Sequence, residues 1–244
     1  MLSSEETKRY ARHLVLKGIG GQGQQKLKAA SVLVIGAGGL GSPAIAYLAA
    51  AGVGRVGVVD DDTVSLSNLQ RQIVHRTEDN GRTKAESAGD FVAALNPHVE
   101  FVSHELRLDA GNAGEIVAGY QLVLDGSDNF DTRLAVAEAA EAARIPLVSG
   151  AVSMFDGQVT VFAPHLARPN GKANPRFREL YPETPDEADL PSCEAVGVLG
   201  PVTGVIGTLM AMEAIKLITG TGEPLLGRLL LYDGRAARFT ELKY

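Results

Sequence analysis

The sequence predicts an α/β fold with a parallel sheet in its N-terminal part, antiparallel strands continuing it, and helices on both faces. Three observations predict it. Short β-branched runs alternate with helical patterns up to about residue 150, which implies parallel strands joined by right-handed crossovers. After Met154 the alternation gives way to short β runs marked by turn residues. No repeat and no linker divides the 244 residues, a length that one large domain accommodates.

The elements follow in order. "SVLVIG" (31–36) reads as a buried strand, and "GLGSPAIAYLAAAG" as a helix stopped by Gly52. "GRVGVVD" is a second strand ending in Asp60. "TKAESAGDFVAAL" (83–95) is helical until "NPH" breaks it, and "VEFVSHEL" (99–106) alternates as a third strand. A short helix near 113–118 leads into "YQLVLDGSDN", a fourth strand ending near Asp125. "TRLAVAEAAEAAR" (132–144) is a helix and "IPLVSG" a fifth strand. "MFDGQVTVFAP" predicts a hairpin with its turn at Asp156-Gly157. Residues 165–191 show no periodicity and read as a long loop, basic in its first half and acidic in its second. A helix over about 201–218 follows, then two paired strands, "RLLLYDG" and "ARFTELKY".

Composition narrows the function classes. A net charge of −6 argues against a nucleic-acid binder held by phosphate neutralisation. The most apolar segment, Val202 to Ile218, carries Glu213 and Lys216 and reads as a buried helix, not a membrane span. The N-terminus has mixed charges and no apolar run of the signal-peptide kind, so a soluble, cytoplasmic protein is expected. The single cysteine, Cys193, excludes a disulfide framework and an all-cysteine zinc site.

"VIGAGGLGS" places Gly36, Gly38 and Gly41 in G-x-G-x-x-G spacing between a predicted strand and a predicted helix, the context that gives this motif its meaning. The first glycine permits the tight turn, the second lets backbone approach phosphate, and the third lets helix pack on strand. Helix amides then face an anion, and Asp60 is placed to accept from ribose hydroxyls. The sheet is thus Rossmann-like, with a nucleotide-binding half over 31–150. An NAD-dependent oxidoreductase is one reading. The next segment favours ATP: Asn68, Arg71 and Lys84 follow the second strand, and a triphosphate losing pyrophosphate needs such cations as charge builds on the leaving group. Asp125 and Asp128, at the end of the fourth strand, offer carboxylate oxygens for Mg²⁺ held jointly with phosphates.

The segments "RYARH", "VLVIGAGGLGSP", "VVDDDTVSLSNLQRQ", "GRTKAES", "LVLDGSDNFDTR", "PLVSGAV" and "GVIGTLMAMEAIK" together resemble the MoeB/ThiF/HesA family, relatives of ubiquitin-activating enzymes. The resemblance implies a single adenylation domain over 1–244, its second half (151–244) binding a carrier beneath a crossover loop at about 165–191. It implies an enzyme that uses ATP and Mg²⁺ to adenylate the C-terminal glycine of a ubiquitin-fold sulfur carrier, MoaD- or ThiS-like, ending in Gly-Gly, for molybdopterin or thiamin synthesis. A non-catalytic nucleotide-binding scaffold for such a carrier is the alternative from another class.

By motif, the resemblance puts Gly36, Gly38, Gly39 and Gly41 against the nucleotide and Asp60 on the ribose. Ser67, Asn68, Arg71 and Lys84 would meet the phosphates, with Asp62, Leu69 and Gln70 beside them. Asp128 would position Mg²⁺ and Asn129 would lie near the nucleotide. Arg12 would reach into the partner subunit of a homodimer, and a sulfurtransferase or cysteine desulfurase would be a further partner. The nucleophile is already ionised at neutral pH, so no histidine-centred cluster is needed. His13, His75, His98, His104 and His165 are expected to be structural or exposed. Family members commonly carry two C-x-x-C zinc pairs; neither is here, so no zinc is expected. Cys193 aligns with a loop cysteine that in some members handles sulfur, and a sulfur-handling role is one of its two readings. The other is a small loop residue.

Overall fold

The computed structural model describes residues 1–167, 171, 173–183 and 196–244. Three helices open the chain: α1 (Ser4–Arg9), α2 (Ala11–Leu14) and α3 (Gly20–Ala29). Hydrophobic periodicity in the sequence predicts no element there. They are held by polar contacts more than by an apolar stripe. Ser3 and Glu6 form a reciprocal capping box on α1. Glu6 also accepts from Lys28 of α3. The buried Gln24 side chain bonds His13 and donates to the Ala51 carbonyl.

Among the described residues the sheet has eight strands, in the order β3-β2-β1-β4-β5-β6-β7-β8. They are β1 (Ser31–Ile35), β2 (Arg55–Val59), β3 (Glu100–His104), β4 (Leu122–Asp125), β5 (Leu147–Ser153), β6 (Asp156–Phe162), β7 (Arg228–Asp233) and β8 (Arg238–Lys243). Strands β1 to β5 pair in parallel and β5 to β8 antiparallel, as the sequence predicts. The remaining α-helices among the described residues are α4 (Gly41–Ala51), α5 (Lys84–Leu95), α6 (Ala113–Val117), α7 (Phe130–Ala143), α8 (Phe177–Leu180) and α9 (Gly200–Thr219).

The period-2 alternation of β1 distributes the core. Val32 and Val34 pack with Ile45 and Leu48 of α4, Val92 of α5 and Met210 of α9. Leu33 and Ile35 point the other way, to Val117 of α6 and Val136 and Ala140 of α7. Helices therefore cover both faces. α9 is long and apolar enough by composition to cross a membrane. It instead packs on α4 and β5, and its Glu213 is buried, accepting from the Leu225 amide.

One expected turn is displaced. The β5–β6 hairpin turns at Met154-Phe155, because Ser153 pairs with Asp156 and Val152 with Gly157. Met154 takes the left-handed backbone, φ 48°. Gly157 lies inside the strand, where a Cβ would come within 2.3 Å of the Ile206 side chain on α9. That glycine serves a close approach, not a turn. α7 also starts two residues earlier than expected, because Asn129 caps it by accepting from the Thr132 amide. The segment read as loop holds the short helix α8, bound to α7 through Arg176–Glu141 and Arg178–Glu138 ion pairs.

Candidate active site

The carboxyl ends of the parallel strands open into one cavity of about 1330 Å³. Its first wall is the turn after β1, where Gly36 has φ +88° and Gly38, Gly39 and Leu40 face the open space at the start of α4. Helix amides at such an end favour an anion. The turn is pinned from beneath. The Ala37 amide donates to Asp60 at 2.7 Å, and the Ala37 carbonyl accepts from His75 at 3.0 Å. Since a carbonyl only accepts, His75 carries its proton on Nε2, and Nδ1 accepts from Ser87 Oγ at 2.8 Å. Burial lowers the His75 pKa, so the imidazole stays neutral. His75 is structural, as expected.

Asp60 directly follows β2 and lines the cavity. Its carboxylate accepts the amides of Ala37 and Asp62. Burial pushes its pKa up, opposed by the Lys84 charge and those two amides. Lys84, the first residue of α5, is itself buried, and its Nζ meets Asp62 at 2.7 Å. Arg71 donates to the Ser67 carbonyl at 3.0 Å. Asn68 accepts from the Ser65 amide, which folds the segment into a short turn whose Asn68 and Arg71 line the cavity.

The opposite wall is the loop after β4. Asp128 is exposed in the cavity and makes no hydrogen bond or ion pair among the described residues. Asn129, Phe130 and Arg133 line the same wall. Asp125 is not part of it. That side chain is fully buried and accepts the amide and hydroxyl of Ser127. Burial pushes its pKa up, against the Arg133 charge and the Ser127 bonds.

Of the residues singled out in the sequence, Gly36, Gly38, Gly39, Asp60, Asp62, Asn68, Arg71, Lys84, Asp128 and Asn129 converge on this cavity. Gly41 packs beneath the turn, where a Cβ would meet the Gly36 carbonyl. Ser67, Leu69 and Gln70 border the cavity in sequence without lining it. Arg12 is exposed on α2, outside its own chain's cavity, and Cys193 lies outside the described residues. Sequence reasoning missed Gln72, Arg107 and Arg133, which line the cavity, and Gln158 and Tyr181, which bond at 2.7 Å. Arg133 lay inside the quoted block "DGSDNFDTR", one helical turn after the Asn129 cap, a spacing that returns its side chain to the loop.

The cavity fits a nucleoside triphosphate: a glycine turn, a carboxylate at the end of the next strand, and cations opposite. The free Asp128 carboxylate is a hard oxygen donor of the kind Mg²⁺ takes alongside phosphates. Among the described residues no three His, Cys, Asp or Glu side chains gather into a metal cage, so the donor set suits a metal carried in with phosphates. The volume exceeds the roughly 300–1,000 Å³ of an ordinary small-molecule site. Beyond the nucleotide wall the cavity runs on to Tyr181, Tyr232, Asp233 and Arg238.

The sequence model of the ThiF family matches residues 10–244. The chain is 52% identical over 232 residues to the probable adenylyltransferase/sulfurtransferase MoeZ of Mycobacterium tuberculosis, covering 95% of this chain but 58% of that one. It is 49% identical over 240 residues to the sulfur carrier protein adenylyltransferase of Thermus thermophilus, covering 98% and 88%. It is 46% identical over 243 residues to the SAMP-activating enzyme E1 of Haloferax volcanii, covering 100% and 87%. Among solved structures, PaaA superposes with a TM-score of 0.83 at 23% identity, over 99% of this chain and 74% of that one. Escherichia coli MccB with ATP gives 0.80 at 20%, over 99% and 72%. At these identities the two structures show a shared fold alone. The match along nearly the whole chain, with the identities above, places this protein in the ThiF family.

Proposed function

We propose that this chain is an ATP-dependent adenylyltransferase that activates the C-terminal glycine carboxylate of a ubiquitin-fold sulfur-carrier protein. The observation that carries the reading is the single continuous cavity, triphosphate-like at the β1 and β2 end and open towards β7 and β8 at the other. It has room for two ligands that must meet. The names of the MoeZ, Thermus and Haloferax relatives point the same way.

In this reaction a carrier carboxylate oxygen attacks the α-phosphorus. The new O–P bond forms as the bond to the bridging oxygen of the β-phosphate breaks, and pyrophosphate leaves with that electron pair. No general base is required, because the carboxylate is ionised at neutral pH. Two anions must approach, so positioned cations carry the catalysis. Lys84 and Arg71 face the phosphates, with the turn after β1 holding their oxygens. Asp60 orients the ribose. Asp128 would hold Mg²⁺, which supplies charge neutralisation on the phosphates. Arg12 is not among the residues lining its own chain's cavity, and a second copy in a homodimer would bring it to this one. A sulfur-donating enzyme would then consume the acyl-adenylate, in molybdopterin or thiamin synthesis, in the cytoplasm.

The test is carrier-dependent exchange of labelled pyrophosphate into ATP. Purified protein with a ubiquitin-fold carrier ending in Gly-Gly should exchange, and the same carrier lacking the last glycine should not. Exchange that ignores the carrier, or none with any carrier of the source genome, sinks the reading.

A further inference from the structure

Arg133 sits in the first turns of α7, and its charge has a structural task on each side. Its Nε and Nη2 donate to the Ser127 carbonyl at 3.1 and 2.7 Å. Nη2 also donates to the Gly150 carbonyl at 2.8 Å. One planar guanidinium thus spans the loop after β4 and the middle of β5. Its fork geometry makes this possible, which an ammonium could not copy. The two carbonyls lie beside a cavity meant for anions, and the guanidinium covers their negative ends.

The consequence falls on Asp128. Ser127 is fixed on three atoms. Its amide and hydroxyl donate to Asp125 at 3.0 and 2.7 Å, and its carbonyl accepts from Arg133. On the other side, Asn129 is fixed as the cap of α7, accepting from Thr132 at 2.9 Å. Asp128 is the residue between these anchors, and its carboxylate makes no hydrogen bond or ion pair among the described residues. The Arg133 charge also opposes the burial that raises the Asp125 pKa.

We propose that Arg133 is a positioning residue, holding the Ser127–Asp128 peptide so that the Asp128 carboxylate is pre-set for Mg²⁺ on the nucleotide. The inference rests on the ATP-binding reading above and adds a residue to it. The groups supporting a metal ligand typically change metal affinity 10–100-fold when altered.

Arg133→Lys is the first variant, because it keeps a cation beside Asp125 while losing the bridge. The Mg²⁺ concentration giving half-maximal ATP binding, measured by calorimetry, should rise about tenfold. Asp128→Asn should raise it as well. The double variant should be no worse than the weaker single one by more than about twofold, since residues acting through one group are not additive. Amide hydrogen exchange over 127–129, without any ligand, should quicken in Arg133→Lys and stay unchanged in Asp128→Asn. If Arg133→Lys melts early, the pair Arg133→Gln with Asp125→Asn removes both charges together and should give the same Mg²⁺ shift. An unchanged Mg²⁺ midpoint, multiplying effects in the double variant, or unchanged exchange over 127–129 overturns the proposal. Wild-type protein that binds ATP with Mg²⁺ but exchanges no pyrophosphate refutes the proposed reaction and leaves this test intact. Wild-type protein without Mg²⁺-dependent ATP binding overturns both.

Discussion

The glycines of the turn after β1 divide into a packing residue and a cavity-facing one, and two alanine substitutions separate them. At Gly41 an added Cβ would lie 1.8 Å from the Gly36 carbonyl oxygen and 2.8 Å from its carbon. The first is about 1.6 Å and the second about 0.6 Å short of ordinary contact. Both partners are backbone, so no rotamer relieves the clash, and α4 must lift from β1, where Ile45 and Leu48 join the main core. Overpacking of this kind costs about 1–3 kcal/mol. Backbone against backbone belongs near the top, about 2–3 kcal/mol, against which a better helix former at the first residue of α4 offsets little. For a chain of this length each kcal/mol is worth about 2–4 °C, so Gly41→Ala should melt about 4–12 °C below wild type. At Gly38 the nearest atom to an added Cβ is Gln72 Nε2 at 3.6 Å, an ordinary contact, and the melting temperature should move by no more than about 2 °C. The same methyl stands on the cavity wall, so Gly38→Ala should weaken ATP binding by about tenfold or more, about 1.4 kcal/mol. Differential scanning fluorimetry and calorimetry read the two effects. Gly41→Ala melting with wild type, or Gly38→Ala matching it in lost stability with ATP affinity intact, would refute the division.

Two further outcomes are expected. Arg12→Ala and Lys84→Ala should each abolish carrier-dependent exchange, yet their mixture should recover about a quarter of wild-type activity if Arg12 acts across a twofold dimer, since half the dimers would be mixed and each would hold one intact site; no recovery after subunit exchange, with dimers demonstrated, would confine Arg12 to its own chain. Hydrogen bonds from Lys28 and from the Ser3 amide hold the Glu6 pKa down, from 4.5 to about 2. Between those values the unfolded chain binds the extra proton, so this stabilisation is present in full above pH 4.5 and is lost as pH falls towards 2. Urea midpoints at pH 5.5 and pH 3 should therefore fall further for wild type than for Glu6→Gln, by an amount worth up to about 1 kcal/mol for a pair whose lysine is partly exposed; parallel shifts would remove Glu6 from the acid transition.

What the sequence made legible was local. β1 and β2 carry β-branched residues in runs too short for helices, and their glycine turn and terminal acid are contiguous signals. The C-cap Gly52, with φ 79°, ends α4 where it was read. What escaped were contacts between distant residues. Asp156-Gly157 has turn composition, but Gly157 is required by Ile206, about fifty residues later. Asp125 resembles a ligand at a strand end, and only the packed structure buries it. Arg133 looks like an exposed helix charge until Gly150, on another strand, appears beside it. Helices α1 to α3 failed for a different reason: their anchors include the buried Gln24 and Glu6, the latter paired with the exposed Lys28, and a hydrophobic period has no place for buried polar residues.

The change of strand direction after β5 has a consequence for chemistry. In an open parallel sheet the ligand crevice lies at the carboxyl ends, where the strand order reverses, here between β1 and β4. A parallel sheet continued indefinitely would bring only more strand ends and helix starts to that edge. Antiparallel strands bring hairpins instead. The register pairs Ser153 with Asp156, Asp156 with Asp233, and Asp233 with Arg238. These four residues therefore form one row on the edge that already holds the ends of β1, β2 and β4. All four line the same cavity as Asp60 and Asp128. The parallel half offers helix amides and cations suited to phosphate. The antiparallel half offers an open rim of Tyr232, Asp233 and Arg238, with Thr203 from the first turn of α9 on the same cavity. Under the proposed reaction, a nucleotide on the parallel half and a peptide tail on the antiparallel half would share this one cavity, which supplies the proximity that joining two reactants requires.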